Sequence, residues 1–142
     1  MVTLAQLLSK KGHDAYSITA AAPVIEAVRA MADRHVGALL VMDESKLVGI
    51  ISERDYARKC VLMGRSSSDT PVRDIMSAPV ISITPQETVE DAMRLMTDRR
   101  IRHLPVLGGG KVLGVVSIGD LVKCVIEDQR HLIEDLEHYI RG

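Results

Sequence analysis

Gly114-Val115-Val116-Ser117-Ile118-Gly119-Asp120 decides the fold of this chain, because it repeats an earlier stretch, Gly49-Ile50-Ile51-Ser52-Glu53-Arg54-Asp55, at a shift of 65 positions. The register holds without a gap back to Ser17-Ile18-Thr19, which returns as Ser82-Ile83-Thr84. The returning Ser and Asp residues are polar and are not what a hydrophobic core needs. Two copies of one supersecondary unit, each unable to bury its apolar face alone, explain this pattern.

The composition is that of a globular protein with an aliphatic core. Of the 142 residues, 46% are hydrophobic and 26% are charged, and the chain has no Trp or Phe. This length supplies one compact core, which two half-size repeats can share. The net charge of −1 leaves no positive surplus to displace counterions, which argues against a nucleic-acid binder that works through bulk electrostatics.

Neither a membrane span nor an export signal is expected from the sequence pattern. No apolar run approaches the roughly 18 residues of a membrane helix, and the N-terminus lacks a basic-then-apolar pattern. Cys60 and Cys124 lack CxxC spacing and Cys or His companions, which favours two reduced, partly buried thiols over a redox or metal role. We therefore expect a cytoplasmic protein with no membrane partner.

Helical periodicity follows the start of each repeat. Apolar residues fall at helical spacing from Val24 to Arg34 and again from Val89 onward. Pro23 lies near the first turn of the first helix, and Thr84 with Glu87 gives the second a capping-box pattern that makes Thr84 the N-cap candidate. We therefore predict one helix in each copy at this point.

Short apolar runs after these helices predict paired strands. Residues 38–42 and 47–51 flank a polar turn, as do residues 103–107 and 112–116. A second helix is expected beside Ser52 and Ser117, and a short strand at 16–18 or 80–82 is expected to precede each unit. The predicted fold class is α/β, with two pseudo-twofold-related repeats of short strand, helix, strand, strand and helix, plus a C-terminal helical extension.

Segments outside the repeats complete the predicted organisation. Residues 4–8 match residues 72–76 with a slip of about three positions, which predicts a lead-in helix for each copy. The predicted boundaries are 1–63 for the first repeat, 64–71 for a polar linker, 72–126 for the second repeat and 127–142 for the extension. An apolar stripe runs along that extension as far as Tyr139 and Ile140, and it favours self-association.

The repeated Gly-x-x-Ser-x-x-Asp segment is the strongest candidate for a binding site. It joins the end of a strand to the start of a helix, where free backbone N–H groups favour phosphate. Ser52 and Ser117 can add a hydroxyl, and Asp55 and Asp120 can accept the two ribose hydroxyls of a nucleotide. The alternative is that these residues only cap helices. Recurrence in register favours the site.

These residues identify a resemblance to a tandem pair of CBS domains, the regulatory repeat first noticed in cystathionine β-synthase. The resemblance covers Val2 to about Cys124 and is carried by Val72-Arg73-Asp74-Ile75-Met76-Ser77, by Arg102-His103-Leu104-Pro105-Val106 and by both Gly-x-x-Ser-x-x-Asp segments. The arrangement resembles small stand-alone CBS-pair proteins of bacteria and plant organelles, and the regulatory module of inosine monophosphate dehydrogenase. The catalytic barrel of that enzyme is not seen in this sequence.

The resemblance implies a regulatory module for an adenosine-containing ligand, namely AMP, ADP, ATP, NAD or S-adenosylmethionine, with magnesium only as a companion of ATP. It implies two related clefts between the sheets of the repeats, and differences between the two copies predict that these clefts are unequal. The second cleft would use Ser77, Ile81, Ile101, Arg102, His103, Ser117 and Asp120. The first would use Tyr16, Val36, Gly37, Ala38, Ser52 and Asp55, with Arg54 beside them. Where the second copy has Arg102 and His103, the first has Gly37 and Ala38.

The resemblance also implies a homodimer whose ligand signal is read by an unknown effector protein. Two alternatives remain open: a structural interaction module with vestigial clefts, and, less favoured, a nucleic-acid binder that uses the basic strand from Arg99 to His103. Catalysis is not expected, because the His residues show no ligand spacing and no HExxH or GxSxG pattern occurs.

Overall fold

The computed structural model describes residues 1–141 and has a mixed α/β architecture. Its elements follow in the order α1 (Leu4–Lys11), β1 (Ser17–Thr19), α2 (Val24–Arg34), β2 (Ala38–Asp43), β3 (Lys46–Ser52), α3 (Glu53–Asp55), α4 (Val89–Arg99), β4 (His103–Gly108), β5 (Lys111–Ser117) and α5 (Ile118–Arg141). A π-helical stretch, Tyr56–Val61, continues α3, and a single 3-10 turn, Val72–Asp74, precedes α4. The predicted fold class of two α/β repeats with a C-terminal helix is confirmed.

The strands form one sheet in each repeat. In the first repeat β1 pairs parallel to β2, and β2 pairs antiparallel to β3. In the second, β4 pairs antiparallel to β5. Both hairpins shift register at the same place, between Val41 and Met42 and between Val106 and Leu107, so the repeat extends to the irregularities of the sheet.

The predicted short strand at 80–82 is absent, and only Ile83 forms an isolated parallel bridge to Val106. In the first repeat, the N–H of Leu40 donates to the carbonyl of Tyr16 at 3.0 Å and helps hold β1 in the sheet. Pro105 occupies the position of Leu40 in the second repeat and has no N–H to donate. The missing donor explains why a strand in one copy is a single bridge in the other.

The start of α4 also differs from the prediction. Thr88 is its N-cap: the Thr88 hydroxyl accepts from the N–H of Asp91 at 3.2 Å, and the Asp91 carboxylate accepts from the N–H of Thr88 at 2.9 Å. Thr84 and Glu87 instead form a turn before the helix, joined by a side-chain hydrogen bond of 3.3 Å. Both pairs match the capping-box spacing, and the helix begins where Val89 can be buried.

The chain divides into two compact units that do not coincide with the sequence repeats. The N-repeat unit is Ala15–Ile81, and the C-repeat unit combines Met1–Asp14 with residues 82 onward. Helix α1 therefore belongs to the unit of the second repeat, and the 3-10 turn to the unit of the first. The predicted lead-in helix before the second repeat is only this turn, because the backbone of Ser77 instead pairs with Ile50 of β3 through hydrogen bonds of 2.8 and 3.1 Å.

Backbone hydrogen bonds attach each lead-in segment in the same way. In the N-repeat unit, the N–H groups of Val72 and Arg73 donate to residues 22 and 20, and that of Val24 donates to Thr70, over 2.8–3.0 Å. In the C-repeat unit, Leu4 and Ala5 donate to residues 87 and 85, and residue 89 donates to residue 2, over 2.9–3.0 Å. Three bonds thus recur at equivalent positions, which fixes the register of both lead-in segments.

Two equivalent glycines, one in each sheet, leave space for a side chain of the lead-in segment that packs against that sheet. A Cβ added at Gly49 would lie 2.5 Å from the sulfur of Met76, and one added at Gly114 would lie 2.8 Å from a methyl carbon of Leu8. Leu8 is buried. Leu8 and Met76 occupy matching places in their segments, so a Cβ at either glycine would force the facing side chain to move.

The core of each unit is aliphatic, as the composition predicts. In the N-repeat unit, α2, the sheet and the lead-in turn bury one cluster, made of Val24, Ala27, Met31, Leu39, Val41, Ile51, Cys60, Val72 and Ile75. Equivalent positions are buried in the C-repeat unit: Val89, Ala92, Met96, Leu104, Val106, Val116 and Leu4. Each lead-in segment therefore supplies core residues as well as backbone hydrogen bonds.

We predict that Gly114→Ala destabilises the protein by about 1–3 kcal/mol, because the added methyl overpacks against Leu8. Urea denaturation of the full chain measures the change. Gly119→Ala is the matched control, because a Cβ there meets its nearest atom at an ordinary 3.6 Å. In the double variant with Leu8→Ala, the two effects should be less than additive. Equal costs for both glycine variants would contradict the packing argument.

Candidate functional site

The Ser-x-x-Asp segment of the first repeat folds into a capping box at the end of β3. The N–H and hydroxyl of Ser52 donate to Oδ2 of Asp55 at 3.0 and 3.1 Å, and the N–H of Asp55 donates back to the Ser52 hydroxyl at 3.1 Å. This reciprocal pairing satisfies donors at the start of α3. It also fixes the carboxylate in one orientation.

Two further groups hold the other oxygen of Asp55. Oδ1 accepts from the Ser77 hydroxyl at 3.1 Å and pairs with the ammonium of Lys59 at 3.0 Å. The Asp55 side chain is only 11% exposed, so a charged group lies largely out of water with its partners around it. The N-repeat carboxylate is therefore engaged on both oxygens.

The C-repeat unit builds the same junction between β5 and α5. The N–H of Ser117 donates to Oδ2 of Asp120 at 2.8 Å, and the N–H of Asp120 donates to the Ser117 hydroxyl at 3.1 Å. Lys11, the last residue of α1, places its ammonium 2.8 Å from the same Oδ2 and also donates to the carbonyl of Val115. The two repeats thus pair their carboxylates with lysines from different elements.

Asp120 is ionised at neutral pH despite its partial burial. Burial alone would raise the pKa of its carboxyl, but the hydrogen bonds from Lys11 and the N–H of Ser117, together with the Lys11 charge, hold that pKa below its usual range. The group is therefore available as a fixed negative charge that accepts hydrogen bonds.

The strand starts opposite these junctions recur in both units. Ala38 pairs with Ser52 and His103 with Ser117 in the sheet register. The carbonyls of Gly37 and Arg102 accept the N–H groups of the first helical residues, at 3.0 and 2.8 Å. The backbone frame of the junction is thus the same, while the side chains beside it differ in size and charge.

The structure brings most of the predicted residues of the first group together. Tyr16 accepts a backbone bond from β2 and has the Arg34 guanidinium 4.8 Å from its ring centroid. Val36 leads into β2, and Arg54 is an exposed residue of α3. These positions lie at the end of the N-repeat sheet that carries Ser52 and Asp55.

The second group is divided between the units. Ile101, Arg102 and His103 lie at the start of β4, in the C-repeat unit with Ser117 and Asp120. Ser77 and Ile81 belong to the N-repeat unit, where Ser77 contacts Asp55. The resemblance assigns Ser77 to the cleft of the second repeat, and its hydrogen bond here is to the carboxylate of the first.

Sequence reasoning did not predict the ion pairs that two lysines make with the candidate carboxylates. Lys59 follows Asp55 by one helical turn, a spacing that predicts an ion pair on a helix. Lys11 gave no such signal, because it precedes Asp120 by most of the chain. It reaches the carboxylate only because α1 packs with the second repeat.

A groove of about 610 Å³ opens between α1 and α5 in the C-repeat unit. Its charged lining is Lys10, Lys11, Asp120, Lys123, Glu127 and Asp128. Cys124 also lines the groove, and burial, followed by the charges of Asp128 and Glu127, raises the pKa of its thiol. A thiol of raised pKa is a weak nucleophile at neutral pH. The charged side chains of the groove are therefore better candidates for ligand contacts than the thiol of Cys124.

Within residues 1–141, no group of three or more His, Cys, Asp or Glu side chains is arranged to hold a metal ion. No helix in that part of the chain is long and apolar enough to cross a membrane.

Comparison with known proteins finds one family along both repeats. The family model of the CBS domain matches residues 5–61 and 72–127. The mitochondrial CBS domain-containing protein CBSX3 of Arabidopsis thaliana is 42% identical over 149 aligned residues, which cover 99% of this chain and 72% of that protein.

Solved structures show the same fold. A protein with CBS domains from Burkholderia ambifaria is 49% identical, with a TM-score of 0.87 over 90% of this chain and 96% of that one. The CBS domain pair of protein MJ0100, solved with 5′-methylthioadenosine and S-adenosylmethionine, is 24% identical, with a TM-score of 0.79 over 90% of this chain and 98% of that one.

We predict that the stabilising contribution of the Asp120 carboxylate is complete above about pH 4 and declines at lower pH. Its pKa is lower in the folded than in the unfolded chain, so its contribution is present above the unfolded value and is lost as the pH falls through the folded value. Asp120→Asn should cost about 1 kcal/mol at neutral pH, and this cost should vanish as the pH falls below the pKa of Asp120 in the folded chain.

Urea denaturation across that pH range measures this difference. Asp98→Asn, at an exposed position of α4, is the matched control and should cost much less than Asp120→Asn at neutral pH. A cost of Asp120→Asn that stays constant at every pH would contradict the assignment.

Proposed function

The chain belongs to the CBS domain family, and we propose that it is a regulatory module that binds an adenosine-containing ligand through the carboxylates of its Ser-x-x-Asp segments. Members of the ligand class are AMP, ADP, ATP, NAD and S-adenosylmethionine, with magnesium entering only alongside ATP. The role is regulatory and not catalytic. The cytoplasm is the compartment we propose, and the named plant relative is mitochondrial.

One observation carries this proposal: both repeats hold an aspartate at the same junction, and each carboxylate is oriented by the same backbone N–H. A fixed carboxylate is suited to accept the two hydroxyls of a ribose, as in dinucleotide sites. The adenosine compounds bound to MJ0100, which shares this fold, support the ligand class.

We propose that the two carboxylates bind with unequal affinity and that Asp120 is the better site. Asp55 is 11% exposed and carries partners on both oxygens, whereas Asp120 is 26% exposed. A ligand at Asp55 would have to displace both Ser77 and Lys59. Beside Asp120, we propose Ile101, Arg102, His103 and Ser117 as further ligand contacts. The corresponding set in the first repeat is Tyr16, Val36, Gly37, Ala38, Ser52 and Arg54.

The ligand would act by shifting a conformational equilibrium that an effector protein reads. A ligand shifts such an equilibrium only by its difference in affinity for the two states, typically about 1–3 kcal/mol. The effector is a separate protein in this proposal, and its identity is open.

A second candidate function is a structural interaction module whose Ser and Asp residues only cap helices. The capping bonds at both junctions favour it, because they give Ser52, Asp55, Ser117 and Asp120 a role that requires no ligand. The two candidates differ in how they depend on the ribose of the ligand. If the carboxylate binds the ribose, loss of a ribose hydroxyl lowers the affinity, whereas a residue that only caps a helix gives no such difference.

We also propose that α5 mediates homodimer formation. Its outer part leaves apolar side chains exposed by half or more: Ile126, Leu132, Ile133, Leu136, Tyr139 and Ile140. An apolar stripe of this length on one helix face is typical of a helix that packs against another helix.

We predict that Asp120→Ala weakens adenosine binding about tenfold or more without unfolding the chain, because hydrogen bonds from the ribose to a charged acceptor are lost. Isothermal titration calorimetry with adenosine and 2′-deoxyadenosine measures the effect. The wild type should discriminate between the two ligands, and the variant should not.

Asp55→Ala is the matched control in the other repeat and should have the smaller effect. Native mass spectrometry of the purified protein would identify any retained nucleotide and the oligomeric state. If no adenosine compound binds the wild type, the interaction module is the correct function. If Asp55→Ala alone abolishes binding, the better site is in the first repeat.

We predict that truncation after Glu127 weakens the dimer, because it removes most of the exposed stripe. Light scattering over a dilution series measures the shift toward monomer. Leu136→Ser should act in the same direction, while Glu137→Ser, one residue away, should leave the dimer unchanged. A truncated chain that stays dimeric on dilution would exclude α5 from the interface.

A further inference from the structure

The Asp120 site has a feature that the family match does not assign, namely an ammonium group already seated on its carboxylate. Lys11 Nζ lies 2.8 Å from Oδ2 of Asp120 and also donates to the carbonyl of Val115. Both acceptors belong to the β5–α5 junction where the ribose is proposed to bind. A ribose hydroxyl and the Lys11 ammonium would therefore compete for the same carboxylate oxygen.

The Lys11 contact is placed to open. The Lys11 side chain is 34% exposed and that of Asp120 is 26% exposed, so the pair lies at a wetted edge. Ion pairs of this exposure contribute little to folding, because solvent screens the charges and the long side chain loses entropy when it is held. Opening the pair requires only rotation of the lysine side chain, with α1 staying in place.

The chain after Lys11 is anchored independently of this ion pair. His13 Nδ1 lies 2.9 Å from the carbonyl of Leu113, and the N–H of Gly12 donates to the carbonyl of Leu8 at 2.7 Å. The end of α1 is thus held by a backbone bond to α1 and by a side-chain contact with β5. Release of the ammonium leaves the lysine tethered within reach of the junction.

The charges around the junction determine which chemical group of a ligand can bind beside the ribose. Lys10 and Lys123 line the same groove as Asp120, and Glu127 and Asp128 lie about two turns beyond Asp120 along α5. An anionic group attached to a ribose at Asp120 would meet lysines near the junction. A neutral adenosine compound would displace Lys11 and gain no new partner for it.

We propose that Lys11 is a specificity-determining gate of the Asp120 site: it closes the carboxylate in the ligand-free protein and, when displaced, pairs with an anionic group of the ligand. The site therefore selects phosphorylated adenosine compounds over neutral or cationic ones. This inference rests on the proposed function of Asp120 as a ribose acceptor, and it narrows the ligand class to nucleotides.

The first repeat does not share this arrangement. Its lysine, Lys59, lies one turn from Asp55 on the same helical segment, and Ser77 holds the same oxygen at 3.1 Å. The gate is thus particular to the second repeat, because only there does the cation arrive from a lead-in helix.

The test compares adenosine and AMP on the full chain by calorimetry, for the wild type and for Lys11→Met. Loss of the competing ammonium should tighten adenosine binding about 2- to 5-fold. Loss of the partner for the phosphate should lower the ratio of AMP affinity to adenosine affinity about 10-fold. Lys111→Met, at an exposed position of β5, removes the same charge from the same unit and should leave both values unchanged.

The outcomes separate the gate from the proposed function. Lys11→Met that leaves adenosine binding and the AMP ratio as in the wild type, while Asp120→Ala abolishes binding, overturns the gate alone. A wild type that binds neither compound overturns the proposed function. If Lys11 has only a structural role, Lys11→Met should lower the affinities for adenosine and AMP by the same factor, and this result also overturns the gate. If Lys11→Met is poorly folded by circular dichroism, Lys11→Gln supplies the same comparison with a polar side chain.

Discussion

The structure depends on how each lead-in segment is attached to the repeat it serves. Three backbone hydrogen bonds at equivalent positions and one side chain seated on a glycine fix each segment. The segment that serves each repeat does not directly precede it in the sequence. Helix α1 completes the second repeat, and the turn at Val72–Asp74 completes the first. Neither repeat has its full core or its full set of backbone bonds without this exchange.

The same exchange builds the two candidate sites. Ser77 reaches Asp55 from the end of one lead-in segment, and Lys11 reaches Asp120 from the end of the other. The carboxylates and their serines are repeated, whereas the groups delivered by the lead-in segments are a hydroxyl and an ammonium. Asymmetry between the sites therefore arises in the segments outside the repeat, as well as in the pairs Gly37/Arg102 and Ala38/His103 within it.

Sequence patterns predicted the elements whose cause is local. Helical periodicity located α2 and α4, turn residues located both hairpins, and the Ser-x-x-Asp spacing located both capping boxes. The errors arose where the cause is not local. The strand before the second repeat is missing because Pro105, far along the chain, has no donor for it. The choice of Thr88 over Thr84 depends on where Val89 becomes buried, and Lys11 meets Asp120 only through tertiary packing.

The interleaved connection also sets the order in which the chain can complete its two units. The N-repeat unit is continuous, Ala15–Ile81, and all of its contacts become possible once that stretch has been synthesised. In the C-repeat unit, α1 must pair with strands that are synthesised much later, because the whole of the other unit lies between them in the sequence. Closing so long a loop in a disordered chain costs more entropy than closing it across a folded, compact insert. Vectorial synthesis therefore favours early folding of the first unit, while α1 has no partner from its own unit until residues 85–89, and later β5, are made.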